Sequence, residues 1–501
     1  MYPALNLTDY AMSAADQEVF HGGGSSDELG QLSKALEAGL ITGRDTTNQL
    51  NASGSPLKVE SLERTLKVVT FQDKQIVSWK LFPKDKAFNT VEEFNQQTSY
   101  GSEENSAFLI EGELPGEEDS QYVRRAKLVK FMGVTRSVSH VMTLVNTNVG
   151  NVIDQEARSG TLSILQRLNR SLFFADSRLN PQSFDGLYAQ HESHDGINYV
   201  GGSLANYLAS ELVVDMRGKV LTPEKVELAM EAIAENYGVG THLFGPPKVF
   251  SNYANQMTQF QRYNLNADNN GLMPGNNIPG QVTNFGNVDF VRDVFLRRRN
   301  TVEVGVNSGA TNAKAPGAIV PDGSTPQALV GSDSESKFVT ADAGNYVWGV
   351  RAVNRFGSSA LVVLSNTPLS IVAGSSAALK WAAASSGETA THFEVFRSQV
   401  GSITKFDYVF SISAAQLAAG YDGGSAGVVR DRNRFMPATD QAFLVENKQE
   451  VLTYKQLAPL MKMDLAVVSP SYRFMILQYG TPMFFAPRKA VRFINIGTLT
   501  T

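Results

Sequence analysis

The strongest catalytic pattern in this chain is Gly423-Gly424-Ser425-Ala426-Gly427, which matches the Gly-x-Ser-x-Gly motif of serine hydrolases. In that motif the serine is a nucleophile on a tight turn between a strand and a helix, and a histidine later in the chain takes its proton. Here the residues that follow, VVRDRNRFMP, lack a helical pattern, and the last histidine, His392, precedes the serine. The pattern therefore predicts a glycine-rich turn rather than a catalytic serine.

Histidine and carboxylate pairs could support two other kinds of chemistry. His191 and His194 are the closest histidine pair in a chain with six histidines and no cysteine, and two histidines without a third ligand make a weak zinc site. Glu227 and Glu231 lie four residues apart, where a polar helix face is commoner than an acid–base pair. The sequence has neither a phosphate-binding Gly-x-x-x-x-Gly-Lys-Ser/Thr loop nor a dinucleotide fingerprint. We therefore predict no cofactor, no metal site and no enzymatic activity.

Charged residues are distributed unevenly along the chain. Residues 101–120 carry seven acids and no base, whereas residues 121–136 carry five bases and no acid. This pattern fits two solvated faces of one hairpin, or an acidic loop on one copy that meets a basic strand on the next and fixes their register. The candidate contacts between copies are Glu111, Glu113, Glu117, Glu118, Arg124, Arg125 and Lys127.

A second basic cluster consists of Arg292 and Arg297–Arg299. It could contact a phosphate backbone or an acidic neighbour. A solvated edge is the alternative, and we favour it for any single arginine.

Length and composition limit which elements can position these residues. The 501 residues suggest about three domains. The 44 basic and 49 acidic side chains give a net charge of −5, which argues against a DNA-coating protein and against a disordered acidic chain. The absence of cysteine excludes disulfides and thiolate sites. We expect no signal peptide and no membrane-spanning segment.

Local patterns divide the chain into segments. Residues 1–69 are predicted to be an arm with one apolar stripe that must dock elsewhere. Residues 127–145 are predicted to form a strand, and a helix follows near 151–175, in which Gly160 could produce a kink. A second helix is predicted from Pro223 to Tyr237, with Thr222 as its N-cap.

The second half of the chain is richer in strand patterns. Residues 301–335 are predicted to be a linker, and residues 336–433 alternate like the strands of a β-sandwich with Trp348 and Trp381 in its core. In residues 434–501, KQLAPLMKMDLAV is predicted to be helical at first, and the remainder to form strands. We interpret 336–433 as a β module inserted into an α+β domain.

The order of these segments resembles that of the major capsid proteins of tailed bacteriophages. The resemblance rests on PKDKAFNTVEEFNQQTSYG, on EGELPGEEDSQYVRRAKLVKFMGVTRSVSHVM, on the long helix that ends in LFFADSRLN and is followed by Phe184-Asp185-Gly186-Leu187, on LTPEKVELAMEAIAENYGVGTHLFGPPKVFSNY, and on the closing segment from QLAPLMKMDLAVV. It covers most of residues 70–300 and 436–501.

This resemblance implies an α+β fold of the Hong Kong 97 type. The expected parts are the N-terminal arm, an extended β-hairpin loop at 70–122, a spine helix near 150–175, and peripheral and axial domains in 123–300 and 434–501. The insert at 336–433 is similar to an immunoglobulin or fibronectin type III module, although its late-looking strand pair comes first.

The resemblance also implies a function and partners. The expected function is self-assembly, as hexamers and pentamers, into an icosahedral virion shell around double-stranded DNA. By analogy it implies portal and scaffolding partners, non-specific contacts with packaged DNA, no membrane, and assembly in the host cytoplasm. Two alternatives remain at this point: a virion decoration or fibre protein, and a carbohydrate-active enzyme with a fibronectin-like module.

Overall fold

A computed structural model describes residues 70–101, 108, 110–114, 117–145, 151–192, 212–257, 278–297, 301–303, 313–320, 328–365, 367–382, 387–466 and 469–497. The predicted arm at 1–69 lies outside these residues, as do His194, Arg298 and Arg299.

The described residues form seven α-helices, numbered here in chain order. They are α1 (Ser78–Leu81), α2 (His140–Leu144), α3 (Val152–Phe174), α4 (Leu187–Glu192), α5 (Pro223–Glu235), α6 (Pro247–Gln256) and α7 (Ala414–Ala419). None of these helices is long and apolar enough to cross a membrane.

The strands are also numbered in chain order. The first half of the chain contains β1 (Lys84–Lys86), β2 (Val91–Ser99), β3 (Gln121–Leu128), β4 (Lys130–Ser139), β5 (Val213–Asp215), β6 (His242–Gly245), β7 (Gly280–Thr283), β8 (Gly286–Arg292) and β9 (Thr301–Glu303). The second half contains β10 (Ala328–Ser332), β11 (Gly344–Tyr346), β12 (Trp348–Asn354), β13 (Gly357–Ser358), β14 (Val362–Val363), β15 (Leu369–Ile371), β16 (Ser375–Lys380), β17 (His392–Ser398), β18 (Lys405–Ser413), β19 (Val428–Asp431), β20 (Asp440–Val445), β21 (Leu452–Asp464), β22 (Ser471–Phe484) and β23 (Ala490–Ile496).

A sheet of long strands supports the long helix. Its order is β1-β21-β22-β4, with β22 antiparallel to both β21 and β4. Helix α3 begins after Asn151, whose side chain accepts a hydrogen bond from the Ile153 amide at 3.0 Å and so caps the helix. A Cβ at Gly160 would lie 2.7 Å from Cδ1 of Ile476 on β22, so the glycine marks a close approach of helix and sheet.

A second sheet lies at the centre of the described chain. Its order is β5-β23-β20-β6-β8-β7, and every residue of β23 and β20 is buried. Helix α5 contributes Val226, Met230 and Ile233 to the adjoining core, and α6 contributes Val249 and Phe250. The buried residues of α5 are three or four positions apart, so they form the apolar helical stripe that the sequence predicts for residues 223–237.

The described part of residues 301–431 is rich in strands. The three-stranded sheet β10-β16-β19 and the sheet β13-β12-β17-β18-β9, to which β14 adds by pairing with β12, are antiparallel throughout. Both sheets supply side chains to one core cluster, in which Trp348 and Trp381 are 0% and 3% exposed. The two tryptophans are therefore core residues, as predicted. The immunoglobulin or fibronectin type of this segment stays a prediction.

The α+β class is confirmed, and two local predictions are wrong. Residues 452–464, which include KQLAPLMKMD, form strand β21 rather than a helix, because β1 and β22 pair with it on both sides. Residues 140–144, predicted to continue a strand, form helix α2. Strands β9 and β10 lie within residues 301–335, the segment predicted to be a linker.

Candidate assembly interface

Strands β2 and β3 form a two-stranded antiparallel hairpin over residues 91–128, which overlaps the extended loop predicted at 70–122. Their ladder runs from the pair Val91–Leu128 to the pair Ser99–Gln121. Most side chains of β3 are exposed, including Tyr122 at 67% and Leu128 at 57%. A two-stranded hairpin is at best marginally stable alone in water, so this one needs a surface to cover it.

The connection between these two strands is acidic and apolar. Within it, Ile110–Leu114 forms a turn in which the Glu113 amide donates to the Ile110 carbonyl oxygen at 3.0 Å. Ile110 and Leu114 are 79% and 89% exposed. All four predicted acidic contacts, Glu111, Glu113, Glu117 and Glu118, are exposed on this connection.

The three predicted basic contacts all have partners within their own chain. Arg124 forms an ion pair with Glu93 across the hairpin. The Arg125 Nε donates to Gln96 Oε1 at 2.7 Å, and the Lys127 Nζ lies 3.1 Å from Asp185 Oδ2. The structure therefore distributes these bases among different intramolecular partners, and only Arg124, whose side chain is 72% exposed, faces mainly solvent.

Asp185 attaches the base of the hairpin to the turn that follows α3. Burial opposes ionisation of this carboxyl, but the nearby Lys127 ammonium and a hydrogen bond from Ser177 outweigh that effect and lower its pKa. The next residue, Gly186, donates its amide to the Ala175 carbonyl oxygen at 2.7 Å. A Cβ at Gly186 would lie 2.7 Å from the Ser171 carbonyl oxygen, so the close approach requires glycine.

A groove of about 640 Å³ lies beside the hairpin. The Gln96 amide donates to the Phe485 carbonyl oxygen, and the Phe94 and Phe485 rings meet edge to face at 4.9 Å between centroids. The groove lining also includes the polar and charged residues Asn95, Gln97, Arg125, Asn236, Glu450, Arg488 and Lys489. Sequence reasoning missed Arg488 and Lys489, because only the folding of residues 485–489 against the hairpin brings them to β2 and β3.

The other chemical candidates have structural roles among the described residues. His191 is buried with its Nε2 3.0 Å from the Ala490 carbonyl oxygen, and Glu192 forms an ion pair with Arg178. Residues 423–427 form a turn, and Glu227 accepts a hydrogen bond from the Asn284 amide at 3.1 Å. Across the described residues, no group of three or more histidines and acids has metal-site geometry.

Comparisons with known proteins give the following relatives. No family model matches the chain. The chain is 20% identical over 485 residues to the major capsid protein of Staphylococcus phage S25-3, covering 93% of this chain and 96% of that protein. It is 22% identical over 484 residues to the putative major capsid protein of Enterococcus phage phiEF24C, covering 95% and 97%. The capsid structure of cyanophage P-SCSP1u covers 91% of this chain and 97% of its own, with 7% identity and a TM-score of 0.41.

The sequence relatives confirm the predicted resemblance to tailed-phage major capsid proteins, and they do so over nearly the whole length of the chain. The assignment of the extended loop to 70–122, of the spine helix to 150–175 and of the peripheral and axial domains stays a prediction; the described residues contain the hairpin β2–β3 and the long helix α3.

Proposed function

We propose that this chain is the major capsid protein of a tailed phage and that it assembles with copies of itself into an icosahedral shell of hexamers and pentamers. The observation that carries the proposal is the exposed hairpin β2–β3 on a chain that is similar, over 93–95% of its length, to proteins named major capsid proteins. The packaged content is double-stranded DNA, contacted without sequence specificity.

The hairpin supports self-assembly on physical grounds. It presents exposed apolar side chains along the strand and at the connection, including Tyr122, Leu128 and Leu114. Exposed apolar surface of this kind marks an interaction site. A stable shell needs contacts on the order of 2,000–5,000 Å², and a reaching hairpin supplies area that a compact body lacks.

Charge determines which surfaces of neighbouring subunits meet. The connection carries the negative charges of Glu111, Glu113, Glu117 and Glu118, and β3 carries the positive charges of Arg124, Arg125 and Lys127. Complementary charges steer association and fix the register of a contact more than they add affinity. We assign these seven residues to contacts between subunits.

The remaining features follow from the same proposal. The chain acts without catalysis, with portal and scaffolding proteins as partners, in the virion and during assembly in the host cytoplasm. An immunoglobulin-like insert at 336–433 forms part of the proposal, and strands β9 and β10 extend it into the segment 301–335 that the sequence predicts to be a linker.

Electron microscopy and light scattering of the purified full-length chain test this function. We expect closed shells or curved sheets. Discrete small oligomers would overturn the proposal in favour of a decoration or fibre protein. Monomers that hydrolyse a polysaccharide would overturn it in favour of a carbohydrate-active enzyme.

A further inference from the structure

A cavity of about 260 Å³ lies between the strand-rich part of the chain and the end of helix α3. One side of its wall comes from α3, the turn that follows it, α4 and β20, and the other side comes from β17, β18 and α7. Pockets that bind small molecules begin at about 300 Å³. The cavity is therefore of a size that suits one small organic molecule.

One buried polar side chain of this cavity lacks a partner. Gln441 is 1% exposed, and neither its Nε2 nor its Oε1 has a hydrogen-bond partner among the described residues. Leaving a buried amide unpaired is costly, and native proteins contain few such groups. Gln441 also faces a bulge, since Asp440 pairs with Ile496 whereas Ala442 pairs with Phe493, and bulges are frequent next to functional sites. The amide is therefore available to a ligand.

The carboxylates of the cavity are already neutralised within the chain. Arg178 forms ion pairs with Asp176 at 2.7 Å and with Glu192, and Glu394 pairs with an arginine of β12 at 2.6 Å. The other cation of the lining, Arg170, is exposed to solvent. An ionic ligand inside the cavity would have to break one of these pairs, so the interior favours an uncharged molecule.

Aromatic rings form much of the remaining wall. The Phe410 and Tyr421 rings stack with their centroids 5.3 Å apart. Water alone would leave this aromatic surface wet, whereas a flat ring can stack against it. The lining therefore suits a planar molecule. The aromatic residues that line the cavity are Phe174, Tyr188, Tyr408, Phe410, Tyr421 and Phe435.

A nucleobase combines the three properties that this cavity requires. It is flat, it is uncharged, and its edge places a hydrogen-bond donor next to an acceptor; glutamine pairs with adenine through both groups of its amide. We propose that the cavity binds an adenine base, with Oε1 of Gln441 accepting from the exocyclic amine and Nε2 donating to the adjacent ring nitrogen. The base can come from a free nucleoside or from an unstacked position of a nucleic acid. Binding does not require shell assembly.

Calorimetric titration of the full-length chain with adenosine tests the site. We expect saturable binding of one adenosine per chain. Purine riboside, which has the same ring but lacks the exocyclic amine, should bind about tenfold more weakly, which corresponds to about 1.4 kcal/mol. No adenosine binding would mean that water alone solvates Gln441, and equal affinities for the two nucleosides would mean that the amide does not read the base; either result would overturn the proposal.

A variant of the amide gives an independent measurement. Gln441→Met keeps the length of the side chain and removes both polar groups. Without ligand it should melt no lower than the natural chain, because no unpaired amide remains buried, and it should bind adenosine at least tenfold more weakly. Gln449→Met is the matched control, since Gln449 is exposed and lies outside the cavity, and it should bind as the natural chain does. Unchanged binding by Gln441→Met would contradict the assignment. The comparison of the two nucleosides on the natural chain remains decisive if this variant does not fold.

Competition identifies the source of the base. A single-stranded deoxyadenosine oligonucleotide that displaces adenosine from the natural chain would assign the cavity to an unstacked base of a nucleic acid. If adenosine binds and the oligonucleotide does not displace it, the ligand is a free nucleoside.

Discussion

At the scale of single residues, Arg124 has weaker contacts within its own chain than the other basic residues of β3. Its ion pair with Glu93 is exposed to solvent, and exposed pairs contribute little to stability. Lys127, by contrast, is half-buried against Asp185 and belongs to the attachment of the hairpin. The seven candidate contacts therefore do not act alike, because some have local roles in addition to the proposed one.

Replacing Arg124 and Arg125 with Glu should block shell assembly while leaving the subunit folded. The reversed charges would face the acidic connection of the neighbouring copy, and like charges at a contact are repulsive. Sedimentation and circular dichroism would measure assembly and folding separately. Glu93→Gln, which removes the internal partner but keeps Arg124, should still form shells. Normal shells from the double variant would refute the charge register.

Gly186→Ala should destabilise the subunit by about 1–3 kcal/mol. The added methyl group would press on the Ser171 carbonyl oxygen at 2.7 Å, and backbone atoms cannot move aside as a flexible side chain can. Gly331→Ala is the matched control, since no atom lies within 4 Å of the new Cβ. Urea denaturation measures both variants, and equal midpoints would contradict the role assigned to Gly186.

His392 should make the fold less stable in mild acid. Burial lowers its pKa below the ordinary 6.5, and the attraction of Glu394 offsets only part of that shift. The unfolded chain therefore binds a proton at His392 more readily than the folded chain does. The contribution of His392 to the free energy of unfolding is complete above about pH 6.5 and declines as the pH falls below that value. His392→Gln should show a smaller drop in melting temperature between about pH 7.5 and pH 5.5. His242, whose pKa is also lowered, is present in both proteins, so it contributes equally to the two drops. If the variant showed the same drop in melting temperature as the natural chain, His392 would not contribute to the acid sensitivity.

At the scale of elements, the sequence predicts best where local pattern and tertiary contact agree. Helices α3 and α5 carry apolar stripes at helical spacing and strong start signals, and their predicted bounds lie within two residues of the observed ones. The prediction for strand β21 is wrong because Lys, Gln, Leu and Met favour a helix in isolation, whereas its pairing with the next strand, β22, and with the distant strand β1 decides the outcome. The groove could not be predicted for the same reason.

Replacing residues 92–127 by an Asn-Gly turn between Val91 and Leu128 should separate folding from assembly. Val91 and Leu128 pair directly across the ladder, so a two-residue turn can close the gap. Because the hairpin side chains are largely exposed, we expect the melting temperature of the subunit to change by only a few degrees. Shells should be absent. If the shortened chain assembles normally, the hairpin is not the contact that holds the shell.

At the scale of the whole molecule, the last two strands pair with strands from much earlier in the described chain. Strand β22 pairs with β4, more than 300 residues earlier, and β23 pairs with β5 in the central sheet. The strand-rich part of 301–431 leaves and returns between β8 and β20, and its core is continuous with that of the central sheet. It is thus attached to the rest of the described chain by packing as well as by its two connections.

If the strand-rich part is the predicted immunoglobulin-like insert, we expect it on the exterior of the proposed shell. Lys405, exposed on β18, can be replaced by Cys as the single thiol in the chain. A maleimide linked to a protein too large to enter the shell should label assembled particles as fast as it labels dissociated subunits. The protein-linked maleimide cannot cross the wall of the shell. If the cysteine at position 405 reacted only after disassembly, the strand-rich part would lie inside the shell. The outward position would then be wrong, while the shell itself would still stand.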